Sequence, residues 1–417
     1  MTLADAAELM TLSHYNTDSL SAARYRITFI AREMLDLPHY LGSTLRGAFG
    51  HAFRTIACPA IQGECPIPNQ CPYHLIFETS PPPDSDSLRT HEEIPRPFVI
   101  APELTTKSGA GQPSRQQFHA GDEVSFELVL IGRAQEFFPY FVVALREVDH
   151  IGRGRRKVEL ERIEALPPVT SATHVDYTET NLITLPDQGE TRMGADCILP
   201  PDQAKVSNLI PPPYQRDVAR LFPPPDQGEV RRGSPDSAEL TSRLPRIVYN
   251  AADNLVRGTS EPITLDDCAK LPMPEGRLTL EFLTQTRLKH EGRFIRRPQF
   301  QVVFRRLLGR LSSLARFHCG ISLELNFRDL IEQAGKVHLV QDNTKWTRWQ
   351  RYSSRQDRRM EWEGIIGRAT YEGSLAPFWQ FLKFGELVHV GHGATFGLGK
   401  YRILEEGSTD DDYKSEH

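Results

Sequence analysis

Acid–base chemistry near neutral pH calls for histidine, tetrahedral metal binding for cysteine and histidine, and phosphate binding for arginine, lysine or glycine-rich backbone. Gly391-His-Gly-Ala-Thr-Phe-Gly-Leu-Gly399 places four glycines in nine residues. Gly391, Gly393, Gly397 and Gly399 let the chain turn tightly and approach a ligand closely. Successive exposed N–H groups there would form a nest for phosphate oxygens, and His389, His392 and Lys400 stand beside it as sources of charge. The segment is neither a P-loop nor a dinucleotide fingerprint, because no Gly-Lys-Ser/Thr closes it and no helix follows. A bulged β-hairpin with glycines at positive φ is an equally open reading.

Cys58, Cys65, Cys71 and His74 read Cys-x6-Cys-x5-Cys-x2-His. Three thiols and an imidazole complete a tetrahedral structural zinc site. The spacing fits no standard zinc finger, so free thiols in a proline-rich loop stay open as the alternative. Cys197, Cys268 and Cys319 are scattered and read as small buried hydrophobes. Six cysteines in 417 residues do not make a disulfide scaffold.

The net charge of −5 argues mildly against a nucleic-acid partner, but the distribution argues for one. Arg287 to Arg310 carries eight Lys or Arg residues against one acid, Glu291; Lys289, Arg293, Arg296 and Arg297 are its candidate RNA contacts. Lys345 to Arg359 carries six against one acid, Asp357. In that second cluster Trp346, Trp349 and Tyr352 interleave with Lys345, Arg348 and Arg351, which suits base stacking beside phosphate contacts; even spacing in a strand would instead put Trp346 and Tyr352 in the core. His150-Ile-Gly-Arg-Gly-Arg-Arg-Lys157 offers Arg153 and Arg155 on a basic turn, open both as an RNA contact and as cations at a helix C-terminus.

Two similar sets of elements position these groups. Tyr25 to Ile30 alternates like a strand. Leu41, Leu45, Phe49, Phe53 and Ile56 make one apolar helical stripe that Ser43 or Thr44 would cap and Cys58-Pro59 would end. An extended piece over 95–102, a strand over 121–131, a helix over 137–149 and a strand over 156–163 complete β-α-β-β-α-β, the ferredoxin-like order. Regularity returns with a strand at 277–282 and a helix from Phe300 to Leu314 behind Pro298. Strands at 336–340, 346–352 and 361–371, a helix over 378–386 and a strand over 400–404 follow. The expected architecture is α+β: tandem ferredoxin-like (RRM-like) domains over 21–165 and 275–405, joined by a Pro/Gly-rich, loop-rich central insertion over 166–274. No 18-residue apolar run predicts a membrane span, and the N-terminus lacks the apolar core of a secretory signal; a cytoplasmic location follows as the default.

Phe384 to Tyr401, with the glycine segment at its centre, resembles the C-terminal loop of the RAMP superfamily of CRISPR proteins. Leu278 to Lys289 followed by Pro298 to Gly320 is similar to the C-terminal domain of its pre-crRNA-processing endoribonucleases, the Cas-six group. Leu45 to Phe53, Cys71 to Glu78, Pro95 to Phe98 and Leu130 to Ala134 resemble the N-terminal half of that group. The likeness covers roughly residues 24 to 165 and 275 to 404, and the insertion between is a departure from it.

The resemblance implies cleavage of CRISPR repeat RNA without a catalytic metal, the 2′-hydroxyl attacking the adjacent phosphate to leave a 2′,3′-cyclic phosphate and a 5′-hydroxyl. A base, an acid and a phosphate-holding cation are then required. His51 lies about 200° around the first helix from Phe49 and so projects away from the core; the family commonly places an active-site histidine on or near this helix. His39 is its rival, or the second proton-transfer group. Arg54, the i+3 neighbour of His51, and Arg46 are the candidate phosphate clamps. Implied partners are repeat RNA, its crRNA product and other Cas proteins. A non-catalytic RAMP subunit that binds crRNA within an effector complex is the alternative, and a zinc-stabilised interaction module unrelated to RNA is a third.

Overall fold

The computed structural model describes residues 19–60, 63–79, 94–104, 115–152, 154–167, 245–274, 276–353 and 358–404. Its first unit runs β1 (Ser21–Ala31), β2 (Leu35–Pro38), α1 (Gly42–Ala57), α2 (Pro72–Ile76), β3 (Phe98–Pro102), β4 (Arg115–Phe118), β5 (Glu123–Ile131), α3 (Phe138–Arg146), β6 (His150–Ile151) and β7 (Arg156–Ala165). The strands line up β3-β5-β1-β7 and every pairing is antiparallel, while β2 pairs β4 and β6 pairs β7. In the second unit β11 (Arg277–Thr286) and a small hairpin, β12 (Lys289–His290) with β13 (Arg293–Phe294), lead into α5 (Phe300–Leu314) and α6 (Phe327–Ala334). Then come β14 (His338–Ser353), β15 (Arg358–Glu372), α7 (Trp379–Val388) and β16 (Tyr401–Leu404), in the sheet order β14-β15-β11-β16. Counting the four principal strands of each unit in chain order, both sheets read 2-3-1-4, with α1 or α5 after the first strand and α3 or α7 after the third, so the chain is a tandem of ferredoxin-like folds.

Between the units, β8 (Arg246–Asn250), β9 (Leu255–Val256), β10 (Ile263–Thr264) and α4 (Leu265–Ala269) fall inside the stretch expected to be a loop-rich insertion. They fold onto the first sheet: β8 extends it beyond β7, β9 pairs β8, and β10 pairs the start of β1. A capping box formed by Thr264 and Asp267 starts α4. Residues 168–244 of the expected insertion lie outside the described residues, and Cys197 with them.

Strand alternation builds two cores. Tyr25, Ile27 and Phe29 of β1, and Val124, Phe126, Leu128 and Leu130 of β5, face α1 and α3. Phe49 and Phe53 of α1 meet Phe141 of α3 with ring centroids 5.3 and 5.0 Å apart. The opposite face of the same sheet, through Val99, Ala101, Val129 and Ile131, joins the core of the second unit with α5 and α7. This two-sided burial makes β3 apolar without a break.

Three local expectations change. Strand pieces at 336–340 and 346–352 are one strand, β14, with a register irregularity between Leu339 and Gln341. The polar residues between the two pieces are accommodated because β14 is an edge strand, where polar side chains meet solvent. Helix α1 begins at Gly42 behind Leu41, with no side-chain cap from Ser43 or Thr44. The helix expected over 137–149 is α3, Phe138–Arg146: a 3-10 turn over Gly132–Phe137 precedes it, and it ends at the Glu147 cap ahead of β6.

Candidate nucleic-acid interface

The glycine segment sits against the first unit. Gly391, Gly393, Gly397 and Gly399 all have φ between 70° and 85°, a region closed to most side chains. A Cβ on Gly397 would lie 2.6 Å from the Tyr40 hydroxyl and 2.7 Å from the Ile100 carbonyl. Tyr40 donates to the Phe396 carbonyl at 2.6 Å, and Gly42, the first residue of α1, abuts that same carbonyl. Gly397 therefore serves close packing of this segment on the start of α1 and on β3, while Gly391 and Gly399 press against the Arg287 and Val390 carbonyls within the second unit.

That placement corrects the nest reading for half of the segment. Gly397 and Gly399 are buried, and their N–H groups donate to Ala394 and Gln285 carbonyls. The charge expected beside it is reduced as well. Burial, with Lys400 nearby, pushes His389 down to about 3, so it is neutral at ordinary pH. Lys400 places its ammonium 3.4 Å from Glu127, and Arg24 reaches the same carboxylate at 2.6 Å. Burial opposes ionisation of Glu127, but the two cations outweigh it and hold the carboxyl well below its ordinary range. Of the three expected cations only His392 is exposed.

His392 belongs to a basic cluster built by the hairpin that the sequence reading missed. Its N–H donates to the Arg287 carbonyl, and its ring meets Phe294 edge-on at 5.7 Å. The Arg287 guanidinium lies 4.4 Å above Phe294 and the Lys289 ammonium 5.6 Å from it. Arg293 is exposed at the hairpin turn, Arg296 stacks over Trp346 at 5.6 Å, and Arg297 pairs with Asp342 at 3.3 Å. Arg310 is set apart: it donates to the Val388 carbonyl, and burial pushes it down to about 10. Arg155, on the basic turn at the end of the first unit, is exposed with φ 45°; Arg153 lies outside the described residues.

On α1, Arg46 is half-buried with its guanidinium 5.2 Å from the Phe396 ring and 5.6 Å from the Phe77 ring. Trp362 of β15 closes the same seam against Tyr40 and Phe396, with centroids 5.9 and 5.4 Å apart. His39 immediately precedes this contact. His51 is exposed on α1, about 13 Å further along the helix axis from Gly42. Arg54 is not beside the glycine segment: it stacks over Tyr73 at 5.6 Å and donates to Gly63 at 3.4 Å, both in the cysteine-bearing loop. Tyr40, Trp362, Phe294 and Phe396 escaped the sequence reading, since nothing in residue spacing brings positions 40, 362 and 396 together.

In that loop the ligand atoms of Cys58, Cys65, Cys71 and His74 all lie within 4.8 Å of one another. The His74 Nδ1 is buried without a hydrogen-bond partner, while Nε2 lies 3.5 Å from the Glu78 carboxylate. This four-residue group could hold a metal ion. Burial pushes the Cys71 thiol up to about 12, and Cys58 is also raised, first by burial; an uncompensated thiolate is costly there, and a bound cation would relieve that cost. No described helix is long and apolar enough to cross a membrane.

Residues 20–188 match a family model described as an N-terminal domain, and residues 280–401 match that of the CRISPR-associated endoribonuclease Cas6. Among solved structures, the chain is similar to a Cas6 product complex at 14% identity and TM-score 0.47, covering 92% of this chain and 100% of the other. It is also similar to Thermus thermophilus Cas6, at 12% identity, TM-score 0.43 and coverages of 93% and 99%. A third is the product of a Cas6-related gene from Pyrococcus furiosus, at 12% identity, TM-score 0.41 and coverages of 92% and 99%. No curated protein matches the chain. The match over residues 280–401 takes in most of the second sheet and the whole glycine segment, so this part of the chain is similar to the CRISPR-associated endoribonuclease Cas6 family.

Proposed function

We propose that this protein binds CRISPR repeat RNA and cuts it by attack of a ribose 2′-hydroxyl on the adjacent phosphate, leaving a 2′,3′-cyclic phosphate and a 5′-hydroxyl. The observation that carries the reading is the seam where the glycine segment meets the start of α1, with Arg46 beside the Phe396 ring and the basic hairpin beside His392. Aromatic rings next to cations suit single-stranded bases and their phosphates. His51, exposed on α1, and His39, next to the seam, are the two proton-transfer groups. Arg46 holds the phosphate, and Arg287, Lys289, Arg293, Arg296 and His392 track the flanking strand. Gly391 and Gly393 bring the backbone close to it, and Arg155 extends the contact along the first unit. Arg54 takes a supporting place behind His51. The four-residue cysteine–histidine group is a structural zinc site, outside the cleavage chemistry. Other Cas proteins are the partners to which the retained crRNA is delivered, and the cell interior is where this takes place.

The test is incubation of the purified chain with repeat RNA in excess EDTA. One cut ending in a cyclic phosphate, lost in His51→Ala and slowed in His39→Ala, is the expected result. Full cleavage by both variants overturns the assignment of the histidines. Tight binding without any cut replaces the enzyme by a crRNA-binding structural subunit.

A further inference from the structure

Among its described residues, the loop between α1 and α2 has little core of its own. Its described residues 63–69 are exposed except for the half-buried Cys65, so burial supplies almost nothing to hold it. Both of its ends nonetheless run into the candidate interface. Cys58 caps α1 through its N–H to the Arg54 carbonyl at 3.0 Å. Cys71 caps α2, whose Tyr73 stacks on Phe77 at 5.5 Å and 8°. Phe77 is buried against Phe49, Phe53 and Phe98, and its carbonyl takes a bond from Arg96 at 2.6 Å. The outer side of this stack carries Arg54 over Tyr73 and Arg46 over Phe77.

We infer that Cys58, Cys65, Cys71 and His74 hold one zinc ion that staples α2 to the C-terminal end of α1, and thereby fixes Arg46 against the glycine segment for RNA binding. This rests on reading the group as a structural zinc site and extends it to what the metal does for the interface. In a tetrahedral ZnS3N centre the sulfur atoms lie about 3.8 Å apart, from Zn–S bonds of about 2.3 Å. Ligand atoms already within 4.8 Å of one another need only a small contraction to reach that. Three thiolates and an imidazole select zinc over magnesium or calcium, which take oxygen ligands. The unpartnered Nδ1 of His74 is the donor left for the metal, and the Glu78 carboxylate 3.5 Å from Nε2 orients the ring from behind. With four protein ligands the centre is closed, so it positions side chains and activates no water.

Metal analysis of the full-length chain should find one zinc per molecule, and replacement by cobalt should give thiolate charge-transfer bands with tetrahedral d–d absorption. Absence of both overturns the site. Stripping the metal should speed hydrogen exchange over residues 71–78 and 42–50, and lower affinity for a labelled repeat RNA by about tenfold. Arg46→Ala protein should lose much less on stripping, because the affected contact is already gone. An equal loss in both proteins refutes the route through Arg46, and zinc present with exchange and affinity unchanged refutes the staple while leaving the metal site standing. If the chain binds no repeat RNA at all, the proposed endonuclease fails, and exchange over 42–50 still decides the staple. Cys65→Ser should lose the metal, and Cys65→His, which restores four ligands, should recover both zinc and exchange protection. Failure of that rescue in a folded protein counts against the site.

Discussion

Replacing Glu127 by glutamine isolates the ionic contact that ties the glycine segment to the first sheet. The Glu127 carboxylate receives Arg24 at 2.6 Å and Lys400 at 3.4 Å, with side-chain exposures of 16, 19 and 26%. Glutamine keeps the shape and leaves two cations facing each other without the anion. Breaking a buried pair on one side costs about 3–5 kcal/mol; the remaining exposure places this case near the lower end, about 3 kcal/mol. With a urea dependence of about 2–3 kcal/mol per molar, the unfolding midpoint should fall by roughly 1 M. The contribution also has a pH window. Because the folded carboxyl titrates below its unfolded value, the advantage of wild type is complete above the unfolded value of about 4.3 and declines as pH falls through the folded one. Urea unfolding followed by circular dichroism at pH 7, 5 and 3.5 measures both effects. Equal midpoints for wild type and Glu127→Gln at pH 7, or a difference that grows on acidification below pH 4, would refute the reasoning.

His318 and His389 are buried with values pushed down to about 4 and about 3, burial being the first cause for each. Folding keeps both neutral, so stability present above the unfolded value of about 6.5 is lost as pH falls toward the folded ones, at about 1.4 kcal/mol per pH unit for each; denaturant unfolding between pH 7 and 4.5 should show a slope near twice that figure, halved in His389→Gln. Gly397→Ala should cost more than about 2 kcal/mol, since φ is 82° and its methyl meets Tyr40 and Ile100. Gly47→Ala, in the same assay, should gain up to about 1 kcal/mol, as nothing lies within 4 Å of the added methyl on that exposed helix position. Arg293→Ala should weaken RNA binding and reduce the slope of log affinity against log salt by about 0.7, one phosphate contact on a single strand; an unchanged slope would remove Arg293 from the interface.

Much of the architecture is legible in residue order because local physics dictates it. The stripe Leu41, Leu45, Phe49, Phe53 and Ile56 has one way to bury itself, and each of these residues is buried. Alternation in Val124 to Leu130 likewise marks one sheet face. The cysteine–histidine spacing suggested a shared ligand sphere, and the four side chains do converge. Glycine content alone left the segment at 391–399 open between a nest and a hairpin.

What the sequence by itself determined is the order of the principal strands and helices, twice over, because helix and strand periods are properties of neighbouring residues; the hairpin β12–β13, the strands β8 to β10 and the helices α4 and α6 were not legible in it. Tertiary structure decided which polar groups remain for a ligand, since that depends on partners hundreds of positions away. Lys400 is spent on Glu127, and His389 is neutralised by burial. Gly397 is pressed against Tyr40. Arg46 lies half-buried between Phe77 and Phe396. Charge in a sequence counts side chains, whereas charge at a surface depends on desolvation and pairing, and only the folded chain sets those.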